Sequence, residues 1–499
     1  MPKPTRNARR VLTLTPILLA LAGICSPAGA AVRLPAILSD HMVLQRAADV
    51  PVWGWAAPGE KVTVRIGAQS ASVRAGADGR WKLTLDLRKA AQQPAVTVKS
   101  EQNEIRIDDV LLGEVWLAAG QSNMEKPVGD KQGQKPTFNA AQEIAAADHP
   151  EIRFFKVGRK KAKQPLDDVA GTWVRCSPET LASTQFSAAA YFFGQRLHAQ
   201  LKVPVGLIDS TWGGTHIALW TPGATPDDPA TTPHKDAAQL YNGMIAGLAP
   251  FALKGALWYQ GETNITDDDD PSQYTARLES MVTGWRRRWG SDFAFNYVQV
   301  APHLYHVVRH NHVIDPQAAP LMWEAQAAAL RIPGSGMIVT TDLVDDLKDI
   351  HPRDKKTVGV RLANLALAEN YGQAGIEAWG PAYRSLALEG DRAIVSFEHA
   401  QGLAARDDKA LTWFDVAGRD GHWYPASATI AGNTVVVSSP KVPVPATVRF
   451  AWDEAAQPNL VNGAGLPAVP FRSTRGPLPQ PADQKSWVRS STSPDAPVR

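Results

Sequence analysis

The sequence predicts an α/β domain built on a parallel sheet, carried between two smaller antiparallel β-sandwich-like domains. Three observations predict it. Between about residues 108 and 379, apolar runs of strand length alternate with helix-length segments, the pattern of a parallel sheet covered on both faces. On either side of that region, short β-prone runs are divided by turn residues, with no helix-period stretch between them. The chain is also long enough, at 499 residues with 44% hydrophobic and 20% charged, for several domains with cores of their own.

Taken in order, residues 1–30 read as a signal peptide. They carry a basic start (Lys3, Arg6, Arg9, Arg10), an apolar run from Val11 to Ile24 broken by Pro16, and the small-residue site Ala28-Gly29-Ala30. Cleavage near Ala30 predicts a periplasmic or secreted protein. Lipid attachment at Cys25 is the competing reading, and Ile24 stands against it where a small residue is expected. No later stretch reaches the roughly 18 consecutive apolar residues of a membrane span, so no membrane anchor is expected. After cleavage Cys176 is the one cysteine left, which excludes an intramolecular disulfide, and its context has no metal-ligand spacing. A net charge of +3, with no basic cluster interleaved with aromatics, excludes nucleic acid as a partner.

Residues 31–107 form the first β domain, on runs such as Val50–Trp55 and the alternating Val62-x-Val64-x-Ile66. The catalytic region, 108–379, opens with the apolar run Val115–Ala119. Its helices are expected at Ala188–Leu197, in a segment ending near Pro250, at Tyr274–Trp289, at Glu324–Leu330 and at Lys355–Asn370. Its strands are expected at Val205–Asp209, Gly255–Tyr259, Phe295–Val300 and Met337–Thr341. Residues 380–476 return to β runs, Ala393–Phe397 and Thr434–Val437 among them. The Pro-, Ser- and charge-rich tail 477–499 is expected to be mobile.

Chemistry-bearing residues gather at the ends of these strands. Gly120-Gln121-Ser122-Asn123-Met124 follows the first of them, and α/β folds hold their ligands at strand ends. Methionine at 124 excludes the Gly-x-Ser-x-Gly elbow of ordinary α/β-hydrolases. A serine here is ordinarily turn chemistry, but three further stations share its placement. They are Asp209-Ser210-Thr211-Trp212-Gly213-Gly214-Thr215, Trp258-Tyr259-Gln260-Gly261-Glu262-Thr263-Asn264, and Asp349-Ile350-His351-Pro352. Acyl transfer by serine needs a base, an orienter for it, and donors aimed at the developing oxyanion; the stations offer a candidate for each.

In that order the motifs resemble those of the sialate O-acetylesterases, a branch of the SGNH (GDSL-like) hydrolases. The likeness takes in Asp40–Arg46 and Tyr241–Ile245, and continues through Val448–Trp452 and Gly465–Ala468. The resemblance implies an SGNH-type, flavodoxin-like three-layer fold and a carbohydrate O-acetylesterase that needs no cofactor or metal. It implies Ser122 as nucleophile, His351 as base, and oxyanion donors at the Ser122 N–H, at Gly214 and at the third station, where Gln260 and Asn264 are both candidates. Gln121, Asn123, Gly213, Gly261, Glu262 and Trp212 become supporting or substrate-contacting residues. The family's acid lies three residues before the histidine, where this chain has Lys348. Asp349, two before, is the nearest candidate; Asp342, Asp345, Asp346 or a backbone carbonyl are the others.

The implied partner is an O-acetylated carbohydrate, either an acetylated sialic acid or a plant polysaccharide such as xylan or xyloglucan. A non-catalytic carbohydrate-binding protein is the reading of another class. His303, His306, His310 and His312 read as a solvated loop beside the cleft, and Asp267–Asp270 as an exposed acidic loop. Arg353 and Lys355 read either as contacts to an anionic substrate or as solvated charges. Of Trp212, Trp220 and Trp258, about one is expected to touch sugar.

Overall fold

Leu111–Gly120 is ten residues long and almost wholly buried, and the molecule is layered around it. Val115, Leu117 and Ala119 point into one core, Trp116 and Ala118 into another, the alternation of a strand packed on both faces. In this computed structural model, residues 31–223, 234–267, 270–306, 314–476 and 478–479 are described. The signal-peptide reading of 1–30 and nearly all of the 477–499 tail lie outside them.

The main path of the central sheet runs Trp173–Cys176, His149–Lys156, Val205–Thr211, Leu111–Gly120, Gly255–Tyr259, Ala294–Val298 and Ser335–Ile338. Every neighbouring pair on that path is parallel except Trp173–Cys176 with His149–Lys156. From Leu111–Gly120 the chain runs to the far edge on one side, returns so that Val205–Thr211 lies directly beside Leu111–Gly120, and then crosses to the other side. The crevice at the C-terminal end of Leu111–Gly120 is therefore the topological switch point, where open α/β sheets bind their ligands.

Ala188–Leu201 and Lys355–Glu369 pack together on one face. The contact is close because position 359 is glycine: a Cβ there would come within 2.6 Å of the Ala189 carbonyl oxygen. Tyr274–Trp289 and Ala318–Ala328 contribute to the opposite core. The expected helix before Pro250 is instead two short turns, Tyr241–Ile245 and Ala246–Leu248. This segment lies against the backbone of Lys160 and Asp168, and that packing overrides its apolar helical pattern.

Two strands of the central sheet's main path escaped the sequence reading. His149–Lys156 and Trp173–Cys176 hold charged Arg153 and Arg175, and both arginines close on Asp109 together with His41. Residues 50–107 form a two-stranded and a four-stranded antiparallel sheet, while Val43–Gln45 leaves them to pair in parallel with Leu111–Gly113. After residue 380 come two four-stranded antiparallel sheets and a short two-stranded pair. Among the described residues no helix is long and apolar enough to cross a membrane.

Candidate active site

Gly120 ends the central strand at φ +134°, and a Cβ there would lie 2.3 Å from the Tyr259 carbonyl oxygen. Only glycine lets the chain turn this close to its neighbour. The register places Thr211 on one side of Gly120 and Tyr259 on the other. The Trp212 and Gln260 stations therefore emerge beside the serine.

Gln121 is buried, and its Oε1 accepts from the Thr263 N–H at 3.1 Å and the Gly261 N–H at 3.4 Å. Two backbone donors fix that end of the amide as oxygen, leaving Nε2 as a donor on a residue that lines the cleft. Ser122 opens the short helix Ser122–Glu125, where the first N–H groups have no intrahelical acceptor.

The cleft, about 380 Å³, is lined by Gln121, Ser122, Glu125, Trp212, Gly213, Gly214, Glu262, Ile350 and His351, with Lys131, Gln134 and Arg159 on its walls. His351 Nε2 is buried without a hydrogen-bond partner. Burial, and secondarily the Lys355 cation, pushes the imidazole down to about 4, while Asp349 pulls the other way. His351 is thus neutral across the neutral range and able to take up a proton. Asp349 Oδ1 accepts from the His351 N–H at 3.0 Å and lies 3.6 Å from Nδ1. The alternative acids are engaged elsewhere: Asp342 with Arg361, Asp345 with the Arg353 N–H, and Asp346 with Lys135.

The third station departs from expectation. Gln260 and Asn264 are both fully buried, and neither lines the cleft. Gln260 Nε2 donates to Asn264 Oδ1 at 2.6 Å and to the Thr215 carbonyl at 3.1 Å, and its Oε1 accepts from the Tyr274 hydroxyl at 2.8 Å. Asn264 Oδ1 also accepts from the Ile217 N–H at 3.3 Å, and Nδ2 lies 2.7 Å from His216 Nε2. These amides brace the turn that carries Gly213 and Gly214 and are spent before they could reach an oxyanion. Gly214 is exposed in the cleft at φ +67°. The Gly213 N–H donates to Glu125 Oε2 at 3.0 Å, and a Cβ on Gly213 would press within 3.2 Å of the Ser122 Cβ.

Glu125 was not singled out in the sequence, although it stands three residues after Ser122, one helical turn on. Its buried carboxylate pairs with Lys131 at 2.7 Å and with Arg159, whose guanidinium lies over the Trp212 ring. Asn123 was singled out, and it joins the stations. Its Nδ2 donates to Glu262 Oε1 at 2.5 Å and to the Ile350 carbonyl at 2.9 Å. Burial raises the Glu262 carboxyl above its usual range.

Both readings of Lys355 fail: it is fully buried, with Nζ donating to Asn123 Oδ1 at 2.7 Å. Arg353 donates to the Pro136 carbonyl and lies over Phe138. Of the three tryptophans only Trp212 lines the cleft; Trp220 and Trp258 are buried. The backbone N–H of His303 and the ring of His306 turn to Glu454, whereas His310 and His312 lie outside the described residues. Asp270 accepts from the Ser272 N–H at the start of a short turn, and Asp268 and Asp269 lie outside the described residues. Cys176 is buried, its thiol pushed up to about 12 by burial.

The layered parallel sheet, with a cleft at its switch point, defines a three-layer α/β hydrolase of the SGNH type. A profile of the family described as carbohydrate esterase, sialic acid-specific acetylesterase, matches residues 112–368. The sialate O-acetylesterases of Pongo abelii and Homo sapiens are each 31% identical to the chain, over 89% of it and 93% of their own length. A crystal structure of a carbohydrate acetylesterase from Xanthomonas citri superposes with a TM-score of 0.80 at 34% identity, covering 89% of this chain and 99% of that one. The chain belongs to the sialic acid-specific acetylesterase family of carbohydrate esterases, and it is a carboxylic ester hydrolase.

Proposed function

We propose that the protein removes O-acetyl groups from carbohydrate by a serine mechanism in the cleft at the end of Leu111–Gly120. Ser122 Oγ attacks the acetyl carbonyl while His351 Nε2 takes its proton. His351 then returns that proton to the departing sugar hydroxyl, and water, activated by the same imidazole, hydrolyses the acetyl-enzyme. The observation that carries this reading is that Ser122 and a half-buried, neutral His351 with a buried, partnerless Nε2 line one cleft. Asp349 holds the His351 backbone and biases its ring. The oxyanion faces the N–H groups of Ser122 and Gly214, with Gln121 Nε2 as the side-chain donor in place of Gln260 or Asn264.

The substrate is an acetylated sugar. Similarity to the sialate O-acetylesterases supports sialic acid; the plant-polysaccharide alternative is separated from it by experiment. Acetate release is measured from O-acetylated sialic acid and from acetylated xylo- and xyloglucan oligosaccharides. Release from none of them rejects the reading in favour of a binding protein. Residues 1–30 support export to the periplasm or beyond, and we propose domain boundaries near 107/108 and 379/380.

A further inference from the structure

Resting on that assignment of Ser122 and His351, we propose that Lys355 is a positioning residue for the reaction, acting through Asn123 to hold the nucleophile and the base in register. Lys355 begins the helix Lys355–Glu369, and its ammonium is buried against the Tyr259 ring, 4.9 Å from the centroid. A cation has poor reason to sit there: the N-terminus of a helix repels it, and burial strips its water. What it gains is the 2.7 Å bond to Asn123 Oδ1.

An ammonium can only donate, so the bond fixes which end of the Asn123 amide is oxygen. With Oδ1 committed, Nδ2 must face Glu262 and the Ile350 carbonyl. Asn123 directly follows Ser122, and Ile350 directly precedes His351. One amide therefore ties the nucleophile's turn to the base's loop, and Lys355 decides its orientation. Rotation of that amide would set Oδ1 against two acceptors, and the loop would lose its tether.

The charge acts on the base as well. Lys355 is the leading charged group holding His351 down, joined by Lys126 and Lys131 and opposed by Asp349. Burial, then the Lys126 charge, brings Lys355 itself down to about 7, while Glu262, Asp354 and Asp349 favour its charged form. A positive Lys355 disfavours protonation of His351, so removing the charge raises the pH at which the base is lost. Lys355 touches no reacting atom, and a purely structural lysine would leave that pH unmoved.

The test compares kcat/KM against pH for 4-nitrophenyl acetate in the wild-type chain, Lys355→Met and Lys355→Arg, with Ser122→Ala as the control. Lys355→Met is expected to lower kcat about tenfold at pH 7 with KM changed less than about threefold. Its acid limb is expected to move up by about half a pH unit or more. Lys355→Arg keeps the charge and leaves the limb in place. If Lys355→Met does not fold, Lys355→Gln keeps a donor without the charge and is expected to show the same displaced limb. A folded neutral variant whose limb overlays that of wild type overturns the proposal. Activity surviving in Ser122→Ala overturns instead the mechanism on which it rests.

Discussion

The strand ends on either side of Gly120 look alike in sequence and do opposite work. Trp212–Thr215 and Gln260–Asn264 each follow a buried strand in register with Gly120. The first opens: Gly214 is exposed, and Trp212 and Gly213 line the cleft. The second closes: Gln260 and Asn264 are fully buried and bonded to each other and to the Thr215–Ile217 turn. The difference teaches that a polar side chain at a strand end serves chemistry only if its donors are left over once the fold is satisfied. Gln121, whose oxygen alone is spent, meets that condition.

The most severe break is at the open side itself. Ser122→Ala and His351→Ala are each expected to lower kcat/KM for 4-nitrophenyl acetate by about 10³-fold or more, with thermal melting unchanged. Substantial remaining activity in either folded variant would remove the proposed pair. Next comes a direct contrast between the two strand ends. Gln121→Ala is expected to cost roughly 10²-fold in kcat, as loss of one oxyanion donor does, and about 1–3 kcal/mol of stability besides, because the Gly261 and Thr263 N–H groups lose their acceptor. Gln260→Ala leaves buried partners unsatisfied, so it is expected to lose about 1–3 kcal/mol of stability, with kcat of the folded fraction near wild type. Equal kinetic losses in the two variants would erase the distinction.

How much of this was legible follows from what local sequence encodes. The stations were readable because each follows an apolar run of strand length, and parallel sheets expose such run ends on one edge. Which amides face the cleft was not, since the partners of Gln260 come from residues 215, 264 and 274, a set no local pattern reveals. Lys355 was misread for a similar reason. A lysine at a helix start is ordinarily solvated, and its burial depends on Asn123, 232 positions away. The edge strand Trp173–Cys176 escaped because it is only four residues long and the solvent-facing Arg175, paired with Asp109, interrupts its apolar pattern. The segment Tyr241–Leu248 carries a helical pattern, but where it lies against residues 160–168 it forms one wide π turn and one tight 3-10 turn instead of a regular helix.

The pH dependence sharpens the comparison further. His351 is held down to about 4, and as the proposed base it must be unprotonated to act. Activity is therefore expected to stay level from neutral pH downward and to fall only as the medium approaches about 4. A limb near 6.5, the ordinary histidine value, would mean that the imidazole is solvated in the working enzyme and the cleft is wetter than its lining implies.

The smallest effect is expected at Asp349. Its carboxylate bonds the His351 backbone at 3.0 Å but stands 3.6 Å from Nδ1, beyond a good hydrogen bond. An acid bonded tightly to the imidazole fixes its tautomer, and losing it is costly. One at this distance supplies mainly charge, opposing the lowering that burial and Lys355 impose. Asp349→Asn keeps an oxygen for the backbone bond and removes the charge. It should reduce kcat by no more than about tenfold and shift the acid limb to lower pH, because the group that favoured imidazolium is gone. A loss as large as that of His351→Ala would show that Asp349 closes onto Nδ1 when substrate binds, making the acid a full partner of the base.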